Sequence, residues 1–209
     1  MLPVPPPPDV ASTLPQTEAE RLRARELSRD EDQPPAEVPG FRVQKKIGEG
    51  RFGSVWLARE QNTGKQVAIK FVRVDPLLPA WMRADLIARF ENERRLLARL
   101  DHPHIARILD GGRSQAGVPY LVMEFVDGDS LTDHCNRAGL DIPARMALFQ
   151  RVCEAVQAAH RHLIVHRDIK PQNILVDREG EPRLLDFGIA RLLAEGGGDS
   201  TQTTGMAMT

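Results

Sequence analysis

The chain has 209 residues, 41% apolar and 27% charged, the proportions of a soluble globular protein with one good-sized core or two small ones. A formal net charge of −1 excludes the sequence-independent attraction to nucleic acid or anionic membrane that a basic protein has, so no nucleic-acid partner is expected. No apolar run approaches the roughly 18 residues of a spanning helix, and Cys135 and Cys153 read as reduced thiols of a cytoplasmic protein.

Residues 1–40 hold most of the 16 prolines and few large apolar side chains, so this stretch is expected to be a disordered, proline-rich leader. Within it, Thr17-Glu18-Ala19-Glu20 has the form of a capping box and predicts at most a short marginal helix ending near Ser28. From Phe41 the pattern changes. Phe41, Val43 and Ile47, then Val55 and Leu57, then Val67, Ile69 and Phe71 predict three short strands, with a turn at Asn62-Thr63-Gly64. A helix follows with Leu86, Phe90, Leu97 and Leu100 on one stripe, and Glu93 on that same stripe. A carboxylate inside an apolar stripe needs a partner. Two more strands are predicted over 105–109 and 120–126, then a helix after Pro143 with Phe149, Val152, Val156, Ala159 and Leu163 inward. Short apolar runs at 174–176 and 184–185 flank a turn at Arg178-Glu179-Gly180.

Gly48-Glu49-Gly50-Arg51-Phe52-Gly53 is a glycine-rich turn between strands, where backbone N–H groups can approach phosphate oxygens without an intervening side chain. Three glycines so spaced arise by chance in roughly one chain of this composition in ten, so an ordinary hairpin explains them equally well when taken alone. A dinucleotide-binding fold would open a helix after the third glycine, whereas residues 54–59 continue as a strand, and that fold is excluded. Lys70, in Val67-Ala68-Ile69-Lys70, can point into the cleft under the loop, and Glu93 is the carboxylate expected to pair with it.

The most specific stretch is His166-Arg167-Asp168-Ile169-Lys170-Pro171-Gln172-Asn173, followed by Asp186-Phe187-Gly188. Five specified positions in the first motif would match by chance less than roughly once in ten thousand chains of this length. Phosphoryl transfer needs metal ions, positive charge on the moving group and a carboxylate that orients the hydroxyl nucleophile, and this loop carries residue types for each.

On these motifs the stretch from Phe41 to Thr209 resembles the protein kinase superfamily, most of all the bacterial eukaryotic-like serine/threonine kinases. The resemblance implies an α+β, two-lobed fold: a small antiparallel N-terminal lobe with one helix over 41–126, and a mainly helical C-terminal lobe over 127–209. It implies that ATP and Mg2+ are used to phosphorylate protein Ser and Thr hydroxyls. In that reading Asp168 is the catalytic base, Lys170 stabilises the transferred group, and Asn173 and Asp186 hold the metal. Gly48, Gly50 and Gly53 cover the phosphates, and Lys70, held by Glu93, grips them. Val55, Ala68 and Leu175 sandwich the adenine, Met123 sits behind it, and the backbone of Glu124 and Val126 holds its edge. Leu97, Ile108, His166 and Phe187 form a column joining the lobes; plain core packing accounts for them equally well, and His166 reads as structural rather than as a base. Arg167 lacks an obvious carboxylate, so phosphorylation among Ser200, Thr201, Thr203 and Thr204 is expected to supply its anion, with Thr209 unmodified beside Asp168. The resemblance also implies that the C-terminal lobe ends inside its activation segment, so a fragment of a longer protein is expected. A truncated, non-catalytic ATP-binding or scaffolding module is the competing reading, and a small-molecule kinase is disfavoured by Lys170-Pro171.

Overall fold

The computed structural model describes residues 33–50, 53–75 and 77–187. The expected leader helix and the hydroxyls at 200–209 lie outside these residues. Alternation builds the first layer. In the strand β3, Gln66–Val72, the side chains of Val67, Ile69 and Phe71 go to one face and those of Ala68, Lys70 and Val72 to the other. With β1 (Phe41–Gly50), β2 (Gly53–Glu60), β4 (Ile108–Arg113) and β5 (Pro119–Glu124) it forms a five-stranded antiparallel sheet ordered β1-β2-β3-β5-β4. Trp56, Ile69, Phe71 and Val122 pack on the outer face, where Val38, ahead of the first strand, is also buried.

The inner face receives helix α1, Ala80–Leu97, through Leu86, Phe90 and Leu97. Arg94 and Arg95 in its last turn complement the negative end of the helix dipole. Leu100, expected on the same helix, lies beyond its end yet is buried. The same apolar cluster continues into the second lobe through Val152, Ala155, Ala159 and Leu184, so one core spans both.

The second lobe opens with β6 (Gly128–Ser130) and the short helix α2 (Leu131–Arg137), neither of which the sequence pattern revealed. Ser130 caps α2 by accepting from the Asp133 N–H at 3.2 Å. Helix α3, Ile142–Arg161, starts at Asp141, whose Oδ1 accepts from the Ala144 N–H at 2.9 Å. Its buried stripe is Leu148, Val152, Ala155 and Ala159, rotated from the expected one. Phe149 is 51% exposed, and Leu163, past the helix end, is 93% exposed. A 3-10 turn, Pro171–Asn173, leads into β7 (Ile174–Asp177), which pairs with β6 and β8 (Pro182–Leu184).

The strand expected over 105–109 is displaced. Ile105 instead makes a parallel bridge to Leu184, the Leu184 N–H donates to His104 O at 2.8 Å, and the Ala106 N–H donates to Leu184 O at 3.0 Å. Backbone groups of this segment are thereby satisfied across the lobes, and the ladder with β5 begins only at Ile108. Likewise β5 stops at Glu124, leaving Phe125 and Val126 as connecting chain.

Candidate active site

A cleft of about 840 Å³ opens between the lobes. Its roof is the β1–β2 hairpin, which closes on a Gly50–Gly53 pair. Gly53 has φ +141°, and a Cβ there would lie 1.9 Å from Phe71 O, so only glycine lets β2 start this close over β3. Gly48 and Gly50 line the roof with Val55 and Ala68. Met123, Glu124 and Val126 form the rear wall, and Leu175 of β7 faces the roof from the floor. Asp168, Lys170, Asn173 and Asp186 complete the floor, with Lys70 above them. The chain thus brings all but one of the expected site residues to one cavity; Glu93 is not among those lining it.

The floor is cross-bonded. Asn173 Nδ2 donates to the Asp168 backbone O at 2.8 Å and to its Oδ2 at 2.9 Å, and Lys170 Nζ donates to the same Oδ2 at 2.8 Å. Two donors on one oxygen fix the carboxylate's orientation, and with the Asn173 nitrogen so engaged its carbonyl oxygen is the atom left to act as a ligand.

The expected pair of Lys70 with Glu93 is not what forms. Lys70, 8% exposed, makes its ion pair with Asp186, whose φ of +60° turns it out of the chain direction set by β8. One ammonium faced two carboxylates, and Asp186 occupies it. Glu93 lies instead 3.6 Å from Arg167, a carboxylate neighbour that local sequence did not disclose. Burial pushes the Glu93 carboxyl above its usual range, and the Arg167 guanidinium offsets that in part. Its Oε2 is buried without a hydrogen-bond partner.

His166 is buried and stacks at 4.7 Å on Phe187 within the core that also holds Leu97 and Ile108. Its Nε2–H donates to Leu185 O at 2.6 Å, while Nδ1 accepts from the Asp168 N–H at 3.3 Å. Both ring nitrogens are committed to backbone groups, so the ring is a neutral structural brace for the loop. Burial lowers its pKa, with the Leu185 carbonyl acting the other way; burial and the neighbouring His104 also lower that of His102. The unfolded chain therefore binds more protons below about pH 6.5. Stability should be full above that value and fall as pH drops beneath it. Urea unfolding at pH 7.5 and 5.5 checks this: the midpoint should drop, and by less in His166→Asn. A flat profile would contradict it.

A family model described as the protein kinase domain matches residues 41–207. The chain belongs to that family. It is 36% identical over 171 residues to the serine/threonine-protein kinase pkn2 of Myxococcus xanthus, covering 80% of this chain and 20% of that protein. It is 36% identical over 161 residues to PknB of Mycolicibacterium smegmatis, covering 75% and 25%. The chain thus spans a fifth to a quarter of the length of these relatives. A crystal structure of Rad53 residues 1–466 in complex with AMP-PNP aligns with TM-score 0.61 and 30% identity, over 72% of this chain and 38% of that one. The two-lobed kinase fold implied by the motifs is the fold observed.

Ile47, Asp127, Gln172 and Leu185 also line the cleft and were not singled out from sequence as site residues. Gln172 sat inside the quoted motif and Asp127 directly after the rear wall, so adjacency was the available signal.

Proposed function

We propose that this kinase transfers the γ-phosphoryl of ATP to Ser and Thr hydroxyls of proteins. The observation that supports it most is the convergence of Lys70, Asp168, Lys170, Asn173 and Asp186 under a glycine roof, in a cleft of nucleotide size. Val55, Ala68 and Leu175 offer apolar surface for a purine, and the backbone after Met123 offers hydrogen-bonding groups for its edge. Lys70 is placed for the phosphates. Asp168, with Oδ2 fixed by Lys170 and Asn173, is suited to orient the acceptor hydroxyl and take its proton. Lys170 brings positive charge beside the group in transit.

Asn173 and Asp186 supply hard oxygen donors on the cleft floor, a set that fits Mg2+, which keeps waters and phosphate oxygens around few protein ligands. Among the described residues no cluster of three or more His, Cys, Asp or Glu side chains forms a self-sufficient metal cage. When bound, Mg2+ supplies the positive charge that neutralises the phosphates. ATP use and free cysteines at 135 and 153 fit a cytoplasmic setting, and no helix among the described residues is long and apolar enough to cross a membrane.

Incubation with Mg2+, γ-labelled ATP and a generic protein substrate should place label on Ser and Thr. Label only on Tyr would overturn the Ser/Thr specificity, and none in the presence of bound ATP would favour the non-catalytic reading. Lys70→Met should weaken Mg·ATP binding by about ten- to a hundredfold, the loss of one charge-assisted contact, as read by titration calorimetry. Unchanged binding and transfer would remove Lys70 from the site.

A further inference from the structure

We propose that Glu49, gripped by Lys46 and Arg73 on the outer side of the glycine roof, is a clasp that holds the roof down over the phosphates. Glu49 and Arg73 are then positioning residues, acting through the roof rather than on the reacting atoms. This rests on the cleft being an ATP site.

The roof is unequally anchored. At its β2 end Gly53 pairs with Val72 of β3, so close that a Cβ on it would lie 1.9 Å from Phe71 O. At its other end β1 is an edge strand, joined to β2 alone. That ladder loses register twice, between Val43 and Lys45 and again between Lys46 and Gly48, immediately before the roof. Something besides the ladder has to fix the β1 end.

Directly opposite residues on paired strands share a face. Lys46 is opposite Trp56 and Glu49 is opposite Ser54, while Trp56 Nε1 donates to Ser54 Oγ at 2.9 Å, so these side chains all lie on the outer face of the sheet. Lys46 sits over the Trp56 ring, 5.7 Å from its centre, and its Nζ donates to Glu49 Oε2 at 2.7 Å. From the position after β3, Arg73 Nη2 donates to Glu49 Oε1 at 3.3 Å. Among the described residues this is the one side-chain bond that joins the β1 end of the roof to the chain at β3. Glu49 belongs to the roof that lines the cleft, yet its carboxylate is engaged on the far side. Each carboxylate oxygen has its own cation. Lys46, and then Arg73, hold the carboxyl below its usual range, so the clasp is ionised at neutral pH.

A clasp and simple charge predict opposite results. By charge alone, Arg73→Gln removes a cation near the phosphates and weakens Mg·ATP binding, whereas Glu49→Gln removes an anion and tightens it. Either substitution opens a clasp. Both should then release the nucleotide faster, and the double variant should release it no faster than either single one.

The test is stopped-flow dissociation of Mg2+ with a fluorescent, ribose-labelled ATP from the whole chain, chased with unlabelled ATP. Glu49→Gln and Arg73→Gln should each raise the off-rate by about two- to fivefold at low salt, the size of an exposed ion pair. In about 1 M NaCl the variants should match the unmodified protein. Arg73→Lys should keep a near-normal rate, and labelled adenosine, which lacks phosphates, should leave all forms alike. Slower release from Glu49→Gln, or unchanged release from both variants, overturns the clasp while leaving the nucleotide site intact. Faster release of adenosine as well would mean that the substitutions loosen the whole cleft, and that also overturns it. Failure of the labelled ATP to bind the unmodified protein at all sinks the site and the proposal together.

Discussion

Asp168→Asn should lower phosphoryl transfer by about 10²- to 10⁴-fold, the range for losing a general base, while Mg·ATP binding stays within a few-fold. The asymmetry follows from the floor's bonding. An asparagine oxygen can still accept from Lys170 and from the Asn173 amide, which now bond Oδ2, so the loop keeps its shape. What the amide lacks is a site for the proton of the acceptor hydroxyl. Initial-rate assays with a generic substrate and calorimetry with Mg·ATP read the two quantities separately. Loss of both together would mean that Asp168 holds the loop rather than performs chemistry.

Phe90→Ala should lower unfolding stability by about 3–5 kcal/mol, a large share of the whole for a domain this size. The ring is 1% exposed and lies where α1, the inner sheet face and the second lobe share one core. Its removal leaves a cavity that three elements must collapse around together, and the helix that carries Glu93 loses one of its three buried anchors. Urea unfolding followed by far-UV circular dichroism measures the effect. A loss below about 1 kcal/mol would show that α1 is held chiefly by other contacts.

Much of this was legible because the chemistry is local. The glycine roof, Asp168 with its neighbours and Asp186 each occupy short stretches whose spacing is specified, and the fold places them in one cleft. Strand alternation in β3 placed Lys70 correctly on the inner face. The partner of Lys70 was not legible: it depends on which of two carboxylates the fold carries to one ammonium, a choice made by the turn at Asp186 and by the placement of α1. The same limit hid Arg167's neighbour, since Glu93 lies far away in sequence. On α3 the apolar residues outnumber the positions that one buried stripe can hold, so periodicity chose Phe149 where packing chose Leu148. Helix α2 is too short and polar to announce itself by period, although Ser130 and Asp133 have capping-box spacing.

The seam at Leu184 sets an order of assembly. The five strands of the first sheet are all present once the chain has been made as far as Glu124. The bridge from Ile105 waits for a residue about 80 positions further along, and closing so distant a contact is slow relative to hairpin formation. On a ribosome the first lobe can therefore take shape while the catalytic loop is still being synthesised. Until Leu184 emerges, the backbone groups of His104 and Ala106 lack these partners, leaving a nascent half-protein with a raw edge that a chaperone could shield.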